Sequence, residues 1–272
     1  MSLQRRFNLC YITNKSYLYQ TYVSMYSLKT NKHRDVNYDV YLLCIEFNDI
    51  GEIGKLSSID FCIHPIYIDK NIFIREDNAG VVYYKLLLHE LLDCDKVFHI
   101  DADTVVIEDI SEIFEIDIDD CFVAGVRDKI NGLNYFNAGN ILLNLKKIRN
   151  TVINKKDTMY SYYIRLESEV KDYHLWEQDI MNDAFNGQIK YIDYGYNFLA
   201  NNYGHLKFNE YIRIYGERIK SEKIKIIHYA SNPKPWVKAD LFGKIWEMYA
   251  NKLVDKKLEK NILRMACREY KK

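Results

Sequence analysis

Asp101 and Asp103 stand one residue apart where the apolar run Lys96-Val-Phe-His-Ile100 ends. Carboxylates at i and i+2 around a bend can converge on one hard cation, which then bridges phosphate oxygens. A second apolar run, Ile224-Lys-Ile-Ile227, ends at His228 and leads into Tyr-Ala-Ser-Asn-Pro-Lys234-Pro-Trp236. A neutral imidazole completes a carboxylate-rich shell, and a mixed oxygen and nitrogen set suits Mn2+ better than Ca2+. Lys234, between Pro233 and Pro235, is a point charge with restricted backbone on both sides, suited to neutralising a phosphate. Singly, each feature has a plainer reading: strand-end aspartates cap turns, a lone histidine is structural, and a lone lysine is solvated. Together they suit a divalent cation held against a diphosphate.

Such residues need strands to deliver them to one edge. Phe7–Thr13 reads as a first strand, followed by a helix with Ser16 as its cap and Tyr19, Tyr22, Val23 and Tyr26 at helical spacing. Tyr38–Cys44 and Phe61–Ile68 read as strands, and Ala79–Leu92 as a helix leading into Lys96–Ile100. Strands are expected at Phe122–Val126, Gly139–Leu145, Ile189–Ile192 and Lys225–His228, with helices within Lys155–Lys171 and Trp176–Phe185. Alternating β and α segments imply an α/β fold with a mostly parallel sheet and crossover helices. In open sheets of this kind ligands collect beyond the carboxyl ends of strands, where Asp101 and Asp103 lie.

The 272 residues and 48% hydrophobic content allow one large domain with a short appendage: residues 1–240, then a basic amphipathic helical tail over 241–272. Formal charge is zero, which argues for no nucleic-acid partner. From Lys244 to Lys272, however, nine basic side chains meet four acidic ones. With Trp246, Tyr249 and Leu253 on one side, that tail reads either as a domain-closing helix or as a peripheral contact with anionic membrane. Six cysteines without metal-type spacing, some within apolar runs, read as reduced and structural, which fits the cytoplasm. The start of the chain lacks the apolar core of a signal peptide, and no stretch approaches the roughly 20 apolar residues of a membrane span.

Four blocks in order resemble glycosyltransferase family 8, the retaining enzymes that include bacterial lipooligosaccharide galactosyltransferases and the glycogenins. They are Asp101-Ala-Asp103, Tyr135-Phe-Asn-Ala-Gly-Asn-Ile-Leu-Leu-Asn-Leu-Lys-Lys147, Gln178-Asp-Ile-Met-Asn182, and His228 through Lys234-Pro-Trp236. The resemblance covers roughly Phe7 to Trp236. It implies a single Rossmann-like domain of the glycosyltransferase A type with a mixed, mostly parallel central sheet, using Mn2+ or Mg2+. UDP-glucose or UDP-galactose would be the donor, and a surface glycan, lipooligosaccharide or glycoprotein the acceptor. The implied metal ligands are Asp101, Asp103 and His228. Lys85 and Lys234 match residues that contact the diphosphate, Thr13 and Asn14 lie where the uracil is held, and Ala102 and Ser231 belong to the same donor-binding blocks. Asp128, Asn137, Glu177 and Gln178 match positions around the donor sugar. Three departures from the family pattern are Lys85 for arginine, Ser231 for glycine and Glu177 for aspartate.

For retention there are two routes: double displacement through Glu177 or Gln178, or front-face transfer in which the departing phosphate takes the acceptor's proton. The amide of Gln178, where a nucleophile would be expected, favours the second. Loops Phe73–Gly80 and Ala230–Pro235 are expected to close over the donor, and Tyr194, Tyr196 and Tyr203 to stack on the acceptor. The competing readings are a haloacid-dehalogenase-type phosphatase, a metal-free glycosidase, and a sugar-nucleotide-binding protein without activity.

Overall fold

The alternation in the first strand decides the layering. Leu9 and Tyr11 face one apolar cluster while Cys10 and Ile12 face another, so the strand is buried on both sides. The computed structural model describes residues 5–69, 79–128, 131–132, 134–151, 158–169, 174–200 and 220–269. Seven strands form the central sheet: β1 (Arg5–Asn14), β2 (Val36–Ile45), β3 (Phe61–Ile68), β4 (Lys96–Ile100), β6 (Val123–Arg127), β7 (Phe136–Asn144) and β8 (Ile189–Ile192). Their order is β3-β2-β1-β4-β7-β6-β8, and β7 alone runs against its neighbours. The sheet is therefore mixed and mostly parallel, and the ends of β1, β4 and β6 share an edge with the start of β7.

Helix α1 (Leu18–Asn31) covers one face through Tyr22, Val23, Met25 and Leu28. Helices α3 (Leu145–Asn150), α4 (Met159–Glu169) and α5 (Glu177–Ala184) cover the other through Leu145, Ile148, Met159, Tyr163, Ile180 and Met181. A second sheet of three short strands, β5 (Thr104–Val106), β9 (Phe198–Leu199) and β10 (Ile226–His228), packs within the α1-side cluster with β10 in the middle.

Several expectations shift. Asn14, not Ser16, accepts the Tyr17 N–H and caps the first turn, which is a 3-10 turn over Lys15–Tyr17 ahead of α1. Ala79–Leu92 is mainly a 3-10 segment, Ala79–Leu87, with one α turn, α2 (Leu88–Leu91). Tyr83 through His89 are all buried, so packing on every side holds this stretch rather than one amphipathic face. Phe136–Ala138 are part of β7, and Leu145 already opens α3.

Two helices, α6 (Leu241–Ala250) and α7 (Lys256–Glu269), follow Trp236. Phe242, Ile245, Trp246, Tyr249, Leu263 and Ala266 join the α1-side core. The side of α6 that would dock on a membrane is thus buried in the protein, and Leu253 lies beyond α6 with its side chain in solvent (73% exposed). Among the described residues no helix is long and apolar enough to cross a membrane, and all six cysteines are free.

His89 gives this core a pH dependence. Burial first, then the nearby Arg149, push its imidazole down from 6.5 to about 4, against a hydrogen bond with Leu86. As pH falls through 6.5 the unfolded chain takes up a proton that the folded chain refuses until about 4. This contribution is therefore intact above the unfolded value and is lost as pH falls to about 4, a change of about 3 kcal/mol. Urea unfolding of wild type and His89→Gln at several pH values should show the variant losing about 3 kcal/mol less over that window. Parallel losses in both proteins would remove His89 from the account.

Candidate active site

The chain leaves the main sheet at Ile100, turns through Asp101-Ala-Asp103, and enters the small sheet as β5. There β5 pairs antiparallel with β10 so that His228 lies opposite Thr104, and the Tyr229 N–H donates to the Asp103 carbonyl at 2.9 Å. This register is why residues 125 positions apart meet. His228 Nε2 lies 3.2 Å from Asp103 Oδ1 and 3.7 Å from Asp101 Oδ2. One ligand atom from each of Asp101, Asp103 and His228 falls within 4.8 Å of the others. The His228 side chain is 4% exposed while those of Asp101 and Asp103 are 24% and 13%, so the carboxylates open toward solvent and the imidazole backs them.

Two lysines flank this cluster. Lys85 Nζ, fully enclosed, sits 2.9 Å from both Asp101 Oδ1 and Glu177 Oε1. Lys234 Nζ donates to Asp103 Oδ2 at 2.6 Å and to the carbonyls of Tyr229 and Ala230 at 2.7 and 3.0 Å. Burial opposes the charges of Lys85, Asp101, Asp103 and Glu177. For Lys85 it is outweighed by Asp101 and Glu177, which keep the ammonium protonated well beyond the ordinary lysine range. Asp101 is likewise held below the usual carboxylate range by Lys85, His99 and His228, and Asp103 by His228 and Lys234. Glu177 goes the other way: burial lifts its carboxyl despite Lys85, whose charge is shared with Asp101.

A net of amides and one further histidine sets the geometry. His228 Nδ1 is 2.8 Å from Asn197 Oδ1, which also receives Asn140 Nδ2 at 3.0 Å. Asn197 Nδ2 in turn donates to Asn137 Oδ1 at 2.7 Å. His99 Nε2 is 2.9 Å from Asp101 Oδ1 and fixes that carboxylate from behind. Gly139 backs the His228 ring so closely that no Cβ fits there.

Glu177 and Gln178, with Tyr135 and Asp128 linked to them, gather around the start of α5. Trp176, just before it, holds φ +52° and ψ −124°, a strained conformation costing about 1–3 kcal/mol. It turns the chain so that Glu177 is buried against Lys85 while the Trp176 side of the turn stays partly exposed. Gln178 Oε1 accepts the Ala138 N–H at 2.8 Å, and its Nε2 lies 3.4 Å from the Tyr135 hydroxyl. Tyr135 bonds Asp179 through that hydroxyl and accepts the Asp128 N–H through its carbonyl. Asp128, buried at the end of β6, also accepts from Asn131 Nδ2 at 2.8 Å.

The structure thus brings Asp101, Asp103, His228, Lys85, Lys234, Glu177, Asn137 and Gln178 into one connected group. Asp128 is linked to it through Tyr135. Thr13 and Asn14 end β1, directly beside β4, with the Thr13 hydroxyl buried against Thr21. Ala102 is buried between the two aspartates, and Ser231 lies in the loop after β10. Tyr196 is a core residue bonded to Lys225, and Tyr194 packs on that core with its hydroxyl tied to Lys220, so neither ring is presented to a ligand. Tyr203 and most of the Phe73–Gly80 loop lie outside the described residues. Asn197 and His99 had no role assigned from the sequence: one lies in a stretch without periodicity, the other inside an apolar strand.

The fold is that of the glycosyltransferase A type. The chain aligns with 97% of its length on the glycosyltransferase GlyE of Streptococcus pneumoniae TIGR4, TM-score 0.73 and 22% identity, spanning 64% of that longer chain. It aligns over 92% of its length with the galactosyltransferase LgtC solved with donor and acceptor sugar analogs, TM-score 0.72 and 22% identity, spanning 97% of that chain. In sequence it is 24% identical to the lipopolysaccharide 1,2-glucosyltransferase of Escherichia coli K12 over 261 residues, which is 88% of this chain and 75% of that protein. Of several streptococcal glycosyltransferases it spans less than half. The model of glycosyl transferase family 8 matches residues 8–240, and the chain belongs to that family.

Proposed function

We propose that this glycosyltransferase moves glucose or galactose from UDP to a surface glycan, lipooligosaccharide or glycoprotein acceptor, with retention of configuration. The observation that carries this reading is the meeting of Asp101, Asp103 and His228 between two lysines. Three carboxylates there face two ammonium groups, and the oxygen and nitrogen donor set fits Mn2+ or Mg2+. When bound, such an ion would neutralise charge growing on the leaving diphosphate.

The chain's own residues account for the rest. Lys234 spends all three N–H bonds on Asp103 and two carbonyls, so it reaches a phosphate oxygen only by exchanging one of them. The Asp103 bond is the exchangeable one, because that carboxylate also faces His228. Lys85 holds Asp101 ionised, bridges it to Glu177 and supplies a second positive charge at the leaving group. Asp128, Asn137 and Glu177 are assigned to the donor sugar's hydroxyls. Thr13, Asn14, Ala102 and Ser231 are assigned to the nucleotide.

In the transfer step the bond from the anomeric carbon to the diphosphate oxygen breaks with its electron pair staying on that oxygen. The acceptor hydroxyl forms the new bond on the same face, and its proton passes to the departing phosphate. Two features favour this route over a glycosyl-enzyme: Gln178 is an amide whose Oε1 already accepts the Ala138 N–H, and Glu177 is paired with Lys85. The names of the Escherichia coli relative and of LgtC support a hexose donor.

A panel of UDP-sugars, assayed for release of free hexose without acceptor, tests donor and metal together. UDP-glucose or UDP-galactose should be cleaved with Mn2+, and chelation should stop it. Hydrolysis that survives chelation, or tight UDP-sugar binding with no turnover of any donor, contradicts the proposal.

A further inference from the structure

Away from the edge that carries Asp101, a second group of metal-competent side chains lies on β2 and β3. We propose that Asp39, Cys62 and His64 bind a thiophilic divalent cation of the zinc class. In the parallel pairing of the two strands Asp39 is opposite Cys62, and Tyr41 opposite His64. The period of a strand then puts all four side chains on one face. One ligand atom from each of Asp39, Cys62 and His64 lies within 4.8 Å of the other two.

The surroundings are built to hold these groups. The Tyr41 ring stacks on His64 with centroids 5.3 Å apart and 29° between planes, which fixes the imidazole. His64 Nε2 already approaches Asp39 Oδ1 at 2.8 Å, so a cation between them replaces that hydrogen bond. Arg6, the charged neighbour on β1, also bonds Asp39 Oδ1 at 2.8 Å and is anchored by the Ile59 carbonyl at 3.0 Å. Both bonds fall on the same oxygen, and among the described residues none is made to Oδ2. All three ligand residues are half-buried, neither sealed in the core nor loose in solvent.

The donor chemistry differs from that of the catalytic cluster. A thiolate, an imidazole and a carboxylate select zinc over magnesium or manganese, and three protein ligands leave a fourth position for water. Binding breaks the Cys62 S–H bond, forms the metal–sulfur bond and sends the proton to solvent, with no change of oxidation state. The two sites are independent. Asp39 is level with Asn8 and His99 with Cys10, which places Asp101 four rungs further along, about 13 Å, and two strands across. A bound ion would join the edge strand β3 to β2.

Cobalt(II) reports the site directly, since only a thiolate ligand gives its near-ultraviolet charge-transfer band. The full-length protein carrying Asp101→Asn and Asp103→Asn, titrated with Co2+ after chelator treatment, should develop this band and saturate at one equivalent. Cys62→Ser should abolish it, Cys121→Ser should leave it, and His64→Gln should weaken cobalt binding more than about tenfold. Should Cys62→Ser fail to fold by circular dichroism, Asp39→Asn and His64→Gln decide by the same band. Absence of the band in the parent protein, or its persistence in Cys62→Ser, overturns the proposal.

Discussion

An alanine at position 139 is expected to remove transferase activity from a protein that still folds. Its Cβ would stand 2.2 Å from His228 Cε1 and 2.7 Å from Nδ1, with Asn137 Oδ1 at 3.0 Å. No carbon tolerates such distances, and the His228 ring is the part free to yield. Yielding breaks its bond to Asn197 and its 3.2 Å approach to Asp103. The strand itself keeps its ladder, because the Gly139 carbonyl still accepts the Asp101 N–H. Metal affinity should fall about 10–100-fold, as when a partner that orients a ligand is lost. The rate should fall by about 10²–10³, the scale of one electrostatic stabiliser removed. Wild-type activity and metal affinity in Gly139→Ala would mean that His228 has no part in the site.

Removing the Lys234 ammonium should be about as costly, with a different signature. Lys234→Ala is expected to lower kcat/KM by about 10²–10³, mostly in kcat, because the charge it meets grows only as the donor bond breaks. Lys234 and Asp103 share a 2.6 Å bond, so Lys234→Ala with Asp103→Asn should lose much less than the two single losses combined. Steady-state kinetics on the four proteins give the result. A loss confined to KM, or strict additivity, would make Lys234 a structural strap for the Tyr229 and Ala230 carbonyls rather than a counter-charge.

Much of this arrangement was legible in the chain. Phe61–Ile68 and Lys96–Ile100 are apolar runs with polar boundaries, and both are strands over those spans. The strand-end aspartates and His228 announced themselves by where their runs stop. The partnership between them was less readable in physical terms, because it depends on β5 and β9, three and two residues long. Elements that short, buried at every position, show no alternation that would mark them as strands. They exist because β10 lies between them. Asn197, which aims His228, and His99, which backs Asp101, are visible only once the strands are registered. The inward turn of Trp246 and Tyr249 needed α1 as a partner, since a stripe of aromatics on a helix does not say what covers it.

Crystals soaked with Mn2+ and UDP, with diffraction recorded at the manganese edge, address the ligand set most directly. One anomalous peak should lie within bonding distance of Asp101, Asp103 and His228, on the side facing Lys234. A diffraction map with UDP in place and manganese elsewhere, or with His228 still bonded to Asn197 but turned away from the ion, would contradict it.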